Sequence, residues 1–208
     1  MGIFDIFKKS QPAAALPEPD MQEIMRCYFD LHSDISSKLN ATEGTARATL
    51  LGSEIPVIAQ NDLGNFNTLL YNSRRPEVKE KAFDFWIEQA TFYVMYTDRY
   101  LFSKFGNEKR TEIMEDIETG YLNAMIIFAK HNEEMWHFAR RVLIEREKES
   151  AHCDSLQALQ NFHYAKCLER VGLKEDYFIN RTLLDHIVSA STMNYSIRAL
   201  PSLFAAYE

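Results

Sequence analysis

The sequence predicts an all-α fold of about seven helices, arranged as antiparallel hairpins in a bundle or a short solenoid-like stack. Two observations predict this class. No segment alternates Val, Ile and Thr between hairpin turns, as β-strands do. One helix–turn–helix junction also recurs, since residues 129–136 and 171–178 each open a new helix with an acidic pair and large apolar residues. Because a helix hairpin cannot bury its apolar face alone, recurring hairpins predict helices that stack on one another.

The composition indicates a soluble globular protein with one sizeable core. The 208 residues are 46% hydrophobic and 25% charged, and the net charge is −7. Such acidity disfavours nucleic acid as a partner, because nucleic-acid binding draws on clustered Lys and Arg, whereas a basic protein partner is compatible with it. The three cysteines have no metal-binding or disulfide spacing, so we expect buried thiols and a cytoplasmic location.

The chain is predicted to divide into an N-terminal segment, residues 1–19, and a single all-helical domain, residues 20–208. Residues 10–19 contain three prolines and three alanines in a row, which favours an extended Pro/Ala linker. Residues 1–9 place four large apolar side chains ahead of two lysines. Two interpretations stay open for this peptide: weak docking on a membrane surface or a partner, or a terminus that is mobile or folded back on the domain.

Local signals place the first three helices. Asp20 and Glu23 have the spacing of a capping box, in which both side chains accept hydrogen bonds from backbone N–H groups of the first turn. Ser53 is a hydroxyl N-cap with Pro56 in the first turn behind it, and Pro76 opens a helix in the same way. The predicted boundaries are residues 20–39, 53–71 and 76–104.

The remaining four helices follow from similar signals. Asn107 and Asn132 are predicted N-caps, Asp154 begins another capping-box pattern, and Gly172 allows a left-handed helix exit. Pro201 is predicted to end the last helix and to leave a short apolar tail. The predicted boundaries are residues 107–130, 132–149, 154–170 and 175–198.

The third helix is predicted to lie at the centre, because it is apolar most of the way round. Its main apolar face is formed by Phe83, Trp86, Ile87, Ala90, Val94 and Leu101. The polar residues Asp84, Glu88, Asp98 and Arg99 occupy a narrow strip. If that strip is buried, its charges must be paired; the alternatives are a solvent-facing strip, a lined cavity or a partner-binding groove.

Metal binding is one chemistry that the spacing allows. Glu134 with His137, and Glu149 with His152, each put two ligand types on one helix face. This resembles half of a ferritin-like di-iron site, which combines two such pairs with carboxylates from two further helices. The two pairs lie about 22 Å apart on a continuous helix, so they cannot share one ion. We therefore expect no metal and no cofactor.

A nucleolytic chemistry is the second alternative. In three places an Arg precedes a His by five or six residues: Arg26 and His32, Arg146 and His152, and Arg181 and His186. The pattern resembles HEPN-type helical ribonucleases, which implies RNA cleavage by an Arg and a His that meet at a dimer cleft. The Arg146 and His152 pair, near a helix junction, is the better candidate. We find no phosphate-binding glycine loop and no nucleophile motif, so no catalytic residue is predicted.

The functional hypothesis is a non-enzymatic domain that binds another protein, in its most specific form an inhibitor or immunity-type protein that masks a basic partner. Aromatic anchors flanked by acids suit a basic surface. The alternative for the same residues is that the acids favour helix N-termini while the aromatics pack inward. A peripheral membrane adaptor acting through residues 1–9 is a further alternative. The predicted contacts are Glu133, Glu134, Trp136, Glu175, Asp176 and Tyr177.

Overall fold

A computed structural model describes residues 21–75, 77–129, 133–174 and 176–207, and within these ranges the secondary structure is helical, with no strand. The predicted all-α class is therefore confirmed, and the arrangement is a bundle. The helices are α1 (Met21–Asn40), α2 (Ala46–Asn72), α3 (Ala82–Phe105), α4 (Asn107–Phe128), α5 (Glu134–Glu149), α6 (Leu156–Arg170), α7 (Tyr177–Asn194), a π-helical turn (Tyr195–Ala199) and α8 (Leu200–Phe204).

Helix α3 lies at the centre of the bundle, as its apolar surface predicts. Every residue from Phe85 to Asp98 is buried, and α2, α4, α5 and α6 all pack against the helix. A helix enclosed on several sides needs apolar residues around most of its circumference, which explains why its sequence lacks a clear polar face. Phe83 departs from the prediction: it was assigned to the core face, but it is 44% exposed because it lies in the first turn, where the covering helices end.

The closest helix packing joins α2 and α4 through two facing glycines. A Cβ atom at Gly52 would overlap the carbonyl oxygen of Ile117, and one at Gly120 would overlap the carbonyl oxygen of Thr49. Each glycine lies against the backbone of the other helix, so neither position has room for any side chain. The two helices approach more closely than larger residues permit, which increases the dispersion contacts between them.

The prediction that the second helix starts at Ser53 is wrong. Helix α2 begins at Ala46 and carries Pro56 in its interior, where the proline lacks the backbone donor that the helix would use. The extra two turns bury Ala48 and Leu51, and the packing of this segment on α4 offsets the missing hydrogen bond.

The third helix also starts later than predicted. Pro76 lies outside the described residues, and α3 begins at Ala82. Before it, the side-chain oxygen of Asn67 accepts a hydrogen bond of 2.7 Å from the backbone N–H of Val78, whose own side chain is buried. This anchoring satisfies the Val78 donor outside a helix and explains why residues 77–81 do not join α3.

Helix caps differ in detail from the prediction. Ser155, one residue after the predicted Asp154, caps α6 by accepting a hydrogen bond from the Ala158 N–H at 3.2 Å. Asn107 is the first residue of α4 and not its cap, because Gly106 occupies the cap position. Gly172 has φ +76°, which confirms the predicted left-handed exit after α6. The predicted caps Asp20 and Asn132 lie outside the described residues.

The C-terminal region is more ordered than predicted. Instead of ending a helix, Pro201 lies in the first turn of α8, where a missing donor is harmless. The π-helical turn before it connects α7 with α8, and the predicted apolar tail, which follows Pro201, packs on the core through the buried Leu203 and Phe204. The N-terminal segment, residues 1–19, lies outside the described residues.

The polar strip of α3 is paired, as burial requires. Glu88 is 2% exposed and accepts hydrogen bonds from Arg146 at 2.6 and 2.8 Å and from Arg170 at 2.8 Å. One turn earlier, Asp84 binds Arg170 at 3.1 Å. Asp98, near the other end, binds Arg110 at 2.6 Å. The strip therefore connects α3 to α4, α5 and α6 by ion pairs.

Among the described helices, none has the length and apolarity that crossing a bilayer requires.

Candidate partner-binding surface

The interior of the bundle holds a hydrogen-bonded polar network centred on Asp62 of α2. The carboxylate accepts from Tyr28 at 2.8 Å, from Gln89 at 2.7 Å and from Tyr93 at 2.9 Å. Three helices, α1, α2 and α3, thus meet at one acid. Burial raises the pKa of Asp62 to about 7, although the hydrogen bonds from Tyr28, Tyr93, Gln89 and Ser191 act in the opposite direction.

Two buried histidines extend this network to the neighbouring helices. His163 of α6 contacts the side-chain oxygen of Gln89 and stacks on Phe92 with 4.4 Å between ring centroids. His32 of α1 lies 3.3 Å from the Ser191 hydroxyl of α7. Burial lowers the pKa of His163 to about 4 and that of His32 to about 3, so both rings are neutral at pH 7.

A proton could in principle pass along such a network, but no reactant reaches it in this conformation. Asp62 and Gln89 are fully buried, and His163 is 2% exposed. The π-helical turn contributes Tyr195, whose hydroxyl shares a 2.7 Å hydrogen bond with Thr97. Apart from the Nδ1 atom of His32, which is buried without a hydrogen-bond partner among the described residues, the arrangement closes its hydrogen bonds within the fold and joins five helices. Such a buried hydrogen-bond network stabilises and orients the helices that it joins.

The Arg and His pairs predicted for RNA cleavage do not converge. Arg26 is an exposed partner of Asp30, whereas His32 is fully buried. Arg146 binds Glu88 and Glu149, while His152 is exposed beyond the helix end, with its ring 6.1 Å from that of Phe162. In the third pair, Arg181 donates to Asn161 at 2.8 Å and His186 is exposed on the same helix.

The Glu-x-x-His pairs also remain separate. Glu134 and His137 lie at the beginning of α5, and Glu149 at its end. Glu149 binds Arg146 at 2.8 Å and Lys166 at 3.0 Å, so its carboxylate is already paired. Over residues 21–75, 77–129, 133–174 and 176–207, no three His, Cys, Asp or Glu side chains form a group that could hold a metal ion.

The cysteines behave largely as expected from their spacing. Cys153 and Cys167 are buried, while Cys27 is half-buried and donates to Asn61 at 3.3 Å. Burial raises the pKa of the Cys167 thiol well above its ordinary value, which keeps it protonated and unreactive.

One end of the bundle exposes an unusual number of large apolar side chains, and we call it the aromatic end. The last turns of α2 and α4 and the first turns of α3, α5 and α7 meet there. Ring contacts of 5.6–5.8 Å link the start of α3 with α4 and α5. An ion pair of 3.1 Å joins Arg75, which follows α2, to Asp176, which precedes α7. Its exposed members are Tyr71, Phe83, Ile127, Phe128, Phe178 and Ile179.

Open grooves lie between these side chains. One groove of about 280 Å³ is lined by Phe83, Trp86 and Phe128, together with Leu63 and neighbouring atoms of α2. A second, of about 380 Å³, runs between residues 77–81 and residues 171–173, and a third, of about 330 Å³, lies beside Tyr71. The first groove is mainly apolar, whereas charged and polar residues line much of the other two. A concave apolar site such as the first can receive a side chain from a partner.

The described members of the predicted contact set lie at the margin of the same end, because α5 and α7 both begin there. Glu133 and Glu134 are exposed, and Trp136 is half-buried against the core. Asp176 is exposed and paired with Arg75, while Tyr177 packs partly inward. Glu175 lies outside the described residues.

Sequence reasoning missed the exposed apolar residues themselves. A usable signal existed in two places, because neighbours on a helix point about 100° apart and cannot both face one core. Ile127 with Phe128, and Phe178 with Ile179, are such adjacent pairs near helix ends. For Tyr71 and Phe83 no comparable signal exists, since their exposure depends on where the surrounding helices stop.

The geometry is the main source of information on function. Comparison of the chain with family models, with curated proteins and with solved structures gives no match.

Proposed function

We propose that this protein is a non-enzymatic helical interaction domain that binds another protein through its aromatic end. One observation carries the proposal: six of the eleven large apolar side chains that are exposed in the described part of the chain lie at this end. Large apolar side chains gathered at one end of a soluble bundle are typical of an interaction surface.

The energetics favour binding at this end. Phe83, Phe128 and Phe178 are 44%, 45% and 79% exposed, so a partner could remove considerable aromatic area from water. Phe83 contacts Trp86 and Phe138 at 5.8 Å in both cases, and Trp86 contacts Phe128 at 5.6 Å. Rings held by one another lose little side-chain entropy on binding, and aromatic anchors beside grooves commonly dominate binding energy.

The charge of the partner is the narrower part of the proposal. Glu133, Glu134 and Asp176 lie at the margin of the aromatic end, and acids around an apolar centre suit a partner with basic groups at its rim. This supports the version in which the protein acts as an inhibitor or immunity-type protein that masks a basic partner. Of these acids, Asp176 also forms an ion pair with Arg75.

The test is affinity capture from the native host with the full chain, followed by reconstitution with the purified partner. A Phe83→Ser, Phe128→Ser variant should lose the partner, because it removes two exposed anchors. Both rings also contact the buried Trp86, so urea unfolding of the variant must show that the fold is retained. Phe102→Ser is the matched control: it makes the same change on an exposed side chain of α3, at the opposite end. Titration of the purified pair should show weaker binding only for the first variant, by roughly tenfold or more.

Several outcomes contradict the proposal. Repeated recovery of the chain alone argues against an interaction domain, and equal loss of binding in the Phe102→Ser control places the contact elsewhere. RNA cleavage that disappears in a His152→Ala variant would instead support the nucleolytic alternative.

A further inference from the structure

The exposed side of helix α5 has a charge opposite to that of the whole protein. Trp136, Arg140, Ile144 and Lys148 recur at every fourth residue, so they form one row along the helix. The row is about 18 Å long at the rise of an α-helix. It borders a shallow depression of about 450 Å³ that is lined by Trp136, His137, Arg140, Arg141, Ile144, Glu145 and Lys148.

Cations dominate this depression. It contains Arg140, Arg141 and Lys148 but only one acid, Glu145, in a chain whose net charge is −7. None of the three cations forms a close ion pair within the described residues, although Arg140 interacts with Glu118 of α4 at longer range. Arg140 instead lies over the ring of Trp136, with its guanidinium carbon 5.1 Å from the ring centroid, and Arg141 lies over a neighbouring ring at 5.4 Å.

The two guanidinium groups are positioned by these rings. Stacking on an aromatic ring restricts a guanidinium without using its N–H donors, which remain available for a carboxylate in a bidentate arrangement. Arg146, on the inner side of the same helix, shows the contrast, because its donors are occupied by Glu88 and Glu149.

Apolar groups alternate with the cations along the row. Trp136 is half-buried, and Ile144 is 38% exposed between Arg140 and Lys148. A surface that alternates basic and apolar groups at each helical turn complements a segment that alternates acidic and apolar groups. Nucleic acid fits less well, because the overall charge of the protein repels a polyanion and Ile144 has no role in phosphate binding.

We propose that this face of α5 docks an acidic amphipathic segment of a protein partner. The site adjoins the aromatic end at Trp136, but its test uses Arg140, Ile144 and Lys148, none of which belongs to that end. Failure of one proposal therefore leaves the other intact. A partner that is basic at the aromatic end and acidic along α5 would engage both surfaces.

The experiment measures fluorescence anisotropy of a labelled peptide made of Glu, Leu and Ala, with one Glu and one Leu in each helical turn. The full chain should bind it saturably, and added salt should weaken the binding. An Arg140→Glu, Lys148→Glu variant should bind at least about tenfold more weakly, because like charges then face each other. Arg26→Glu on α1, whose side chain is 83% exposed, is the control and should bind as the unchanged protein does.

A second pair of measurements separates docking from simple ionic attraction. Ile144→Ser should weaken binding of the Leu-containing peptide several-fold, yet leave the weaker binding of a peptide with Ala in place of Leu unchanged. All substituted side chains are exposed or half-buried, and circular dichroism and urea unfolding of each variant confirm that the fold is retained.

Three results would overturn the proposal. The first is equal binding of a peptide with Lys in place of Glu. The second is unchanged binding of the acidic peptide by the doubly charge-reversed variant. The third is tighter binding of phosphatidylserine vesicles or single-stranded RNA that is lost in that variant, which would assign the face to a membrane or to nucleic acid.

Discussion

The polar network around Asp62 and the aromatic end both depart from the usual arrangement of polar groups outside and apolar groups inside. The buried polar network is satisfied within the chain, since Asp62 accepts hydrogen bonds from Tyr28, Gln89 and Tyr93. At the aromatic end, in contrast, Phe128 and Phe178 keep about half or more of their surface in water. Buried polar groups that are hydrogen-bonded to one another indicate a structural role, whereas large apolar side chains that remain exposed indicate a contact with another molecule.

The same contrast distinguishes a residue with a structural role from a residue that is a candidate for function. Asp62 would attract attention as a catalytic group, because perturbed pKa values are frequent at active sites. Its enclosure argues for a structural role instead. The aromatic end has no comparable chemistry, yet its grooves and exposed rings make it the better candidate for function.

The largest predicted effect is that of Asp62→Ala. The substitution leaves Tyr28, Gln89 and Tyr93 with buried donors and no acceptor, and we expect it to lower the free energy of unfolding by about 3–5 kcal/mol. Asp62→Asn, which keeps one acceptor oxygen, should cost less. Urea unfolding followed by circular dichroism measures both. A loss below about 1 kcal/mol for the alanine variant would show that the network is not structural and would break the contrast.

A second prediction compares a buried and a partly exposed carboxylate of helix α3. Glu88→Gln removes a carboxylate whose side chain is 1% exposed and that pairs with Arg146 and Arg170, so we expect a loss of about 3 kcal/mol. Asp84→Asn, one turn earlier and about a quarter exposed, is the matched variant and should cost about 1 kcal/mol or less. Equal losses in the same urea assay would contradict the view that enclosure determines the effect.

The class of fold could be predicted from the sequence because it depends on local patterns. The apolar surface of α3 predicted its central position, and Gly172 predicted the end of α6. Boundaries failed where tertiary packing competes with local signals. Pro56 is a strong start signal, but packing of the preceding turns against α4 carries the helix through it.

The candidate surface could be predicted only in part. The turns before α5 and α7 drew attention through their acidic pairs, and both lie at the aromatic end. The exposed rings there, and the network of Asp62 with His163, depend on residues far apart in the sequence that meet only in the fold. In a helix as apolar as α3, no local sequence pattern predicts that a polar residue such as Gln89 is buried.

The smallest predicted effect is a change in the pH dependence of stability. His163 and His32 have folded pKa values of about 4 and 3, below the 6.5 of the unfolded chain, so they stabilise the fold above pH 6.5 and this stabilisation is lost as the pH falls. Asp62 acts in the opposite direction: its pKa of about 7 exceeds the unfolded value of 3.8, so its contribution is lost as the pH rises. Between pH 5 and 6 the unfolded chain therefore binds about one proton more than the folded chain, and the free energy of unfolding should fall by about 1.4 kcal/mol on acidification by one pH unit.

Two variants test this pH dependence. Asp62→Asn should roughly double the slope of the free energy of unfolding against pH, and His163→Gln in the otherwise unchanged protein should remove most of it. Urea unfolding at several pH values measures the slopes. Identical slopes for the unchanged protein and Asp62→Asn would mean that Asp62 is ionised throughout this range, and that its hydrogen bonds outweigh its burial.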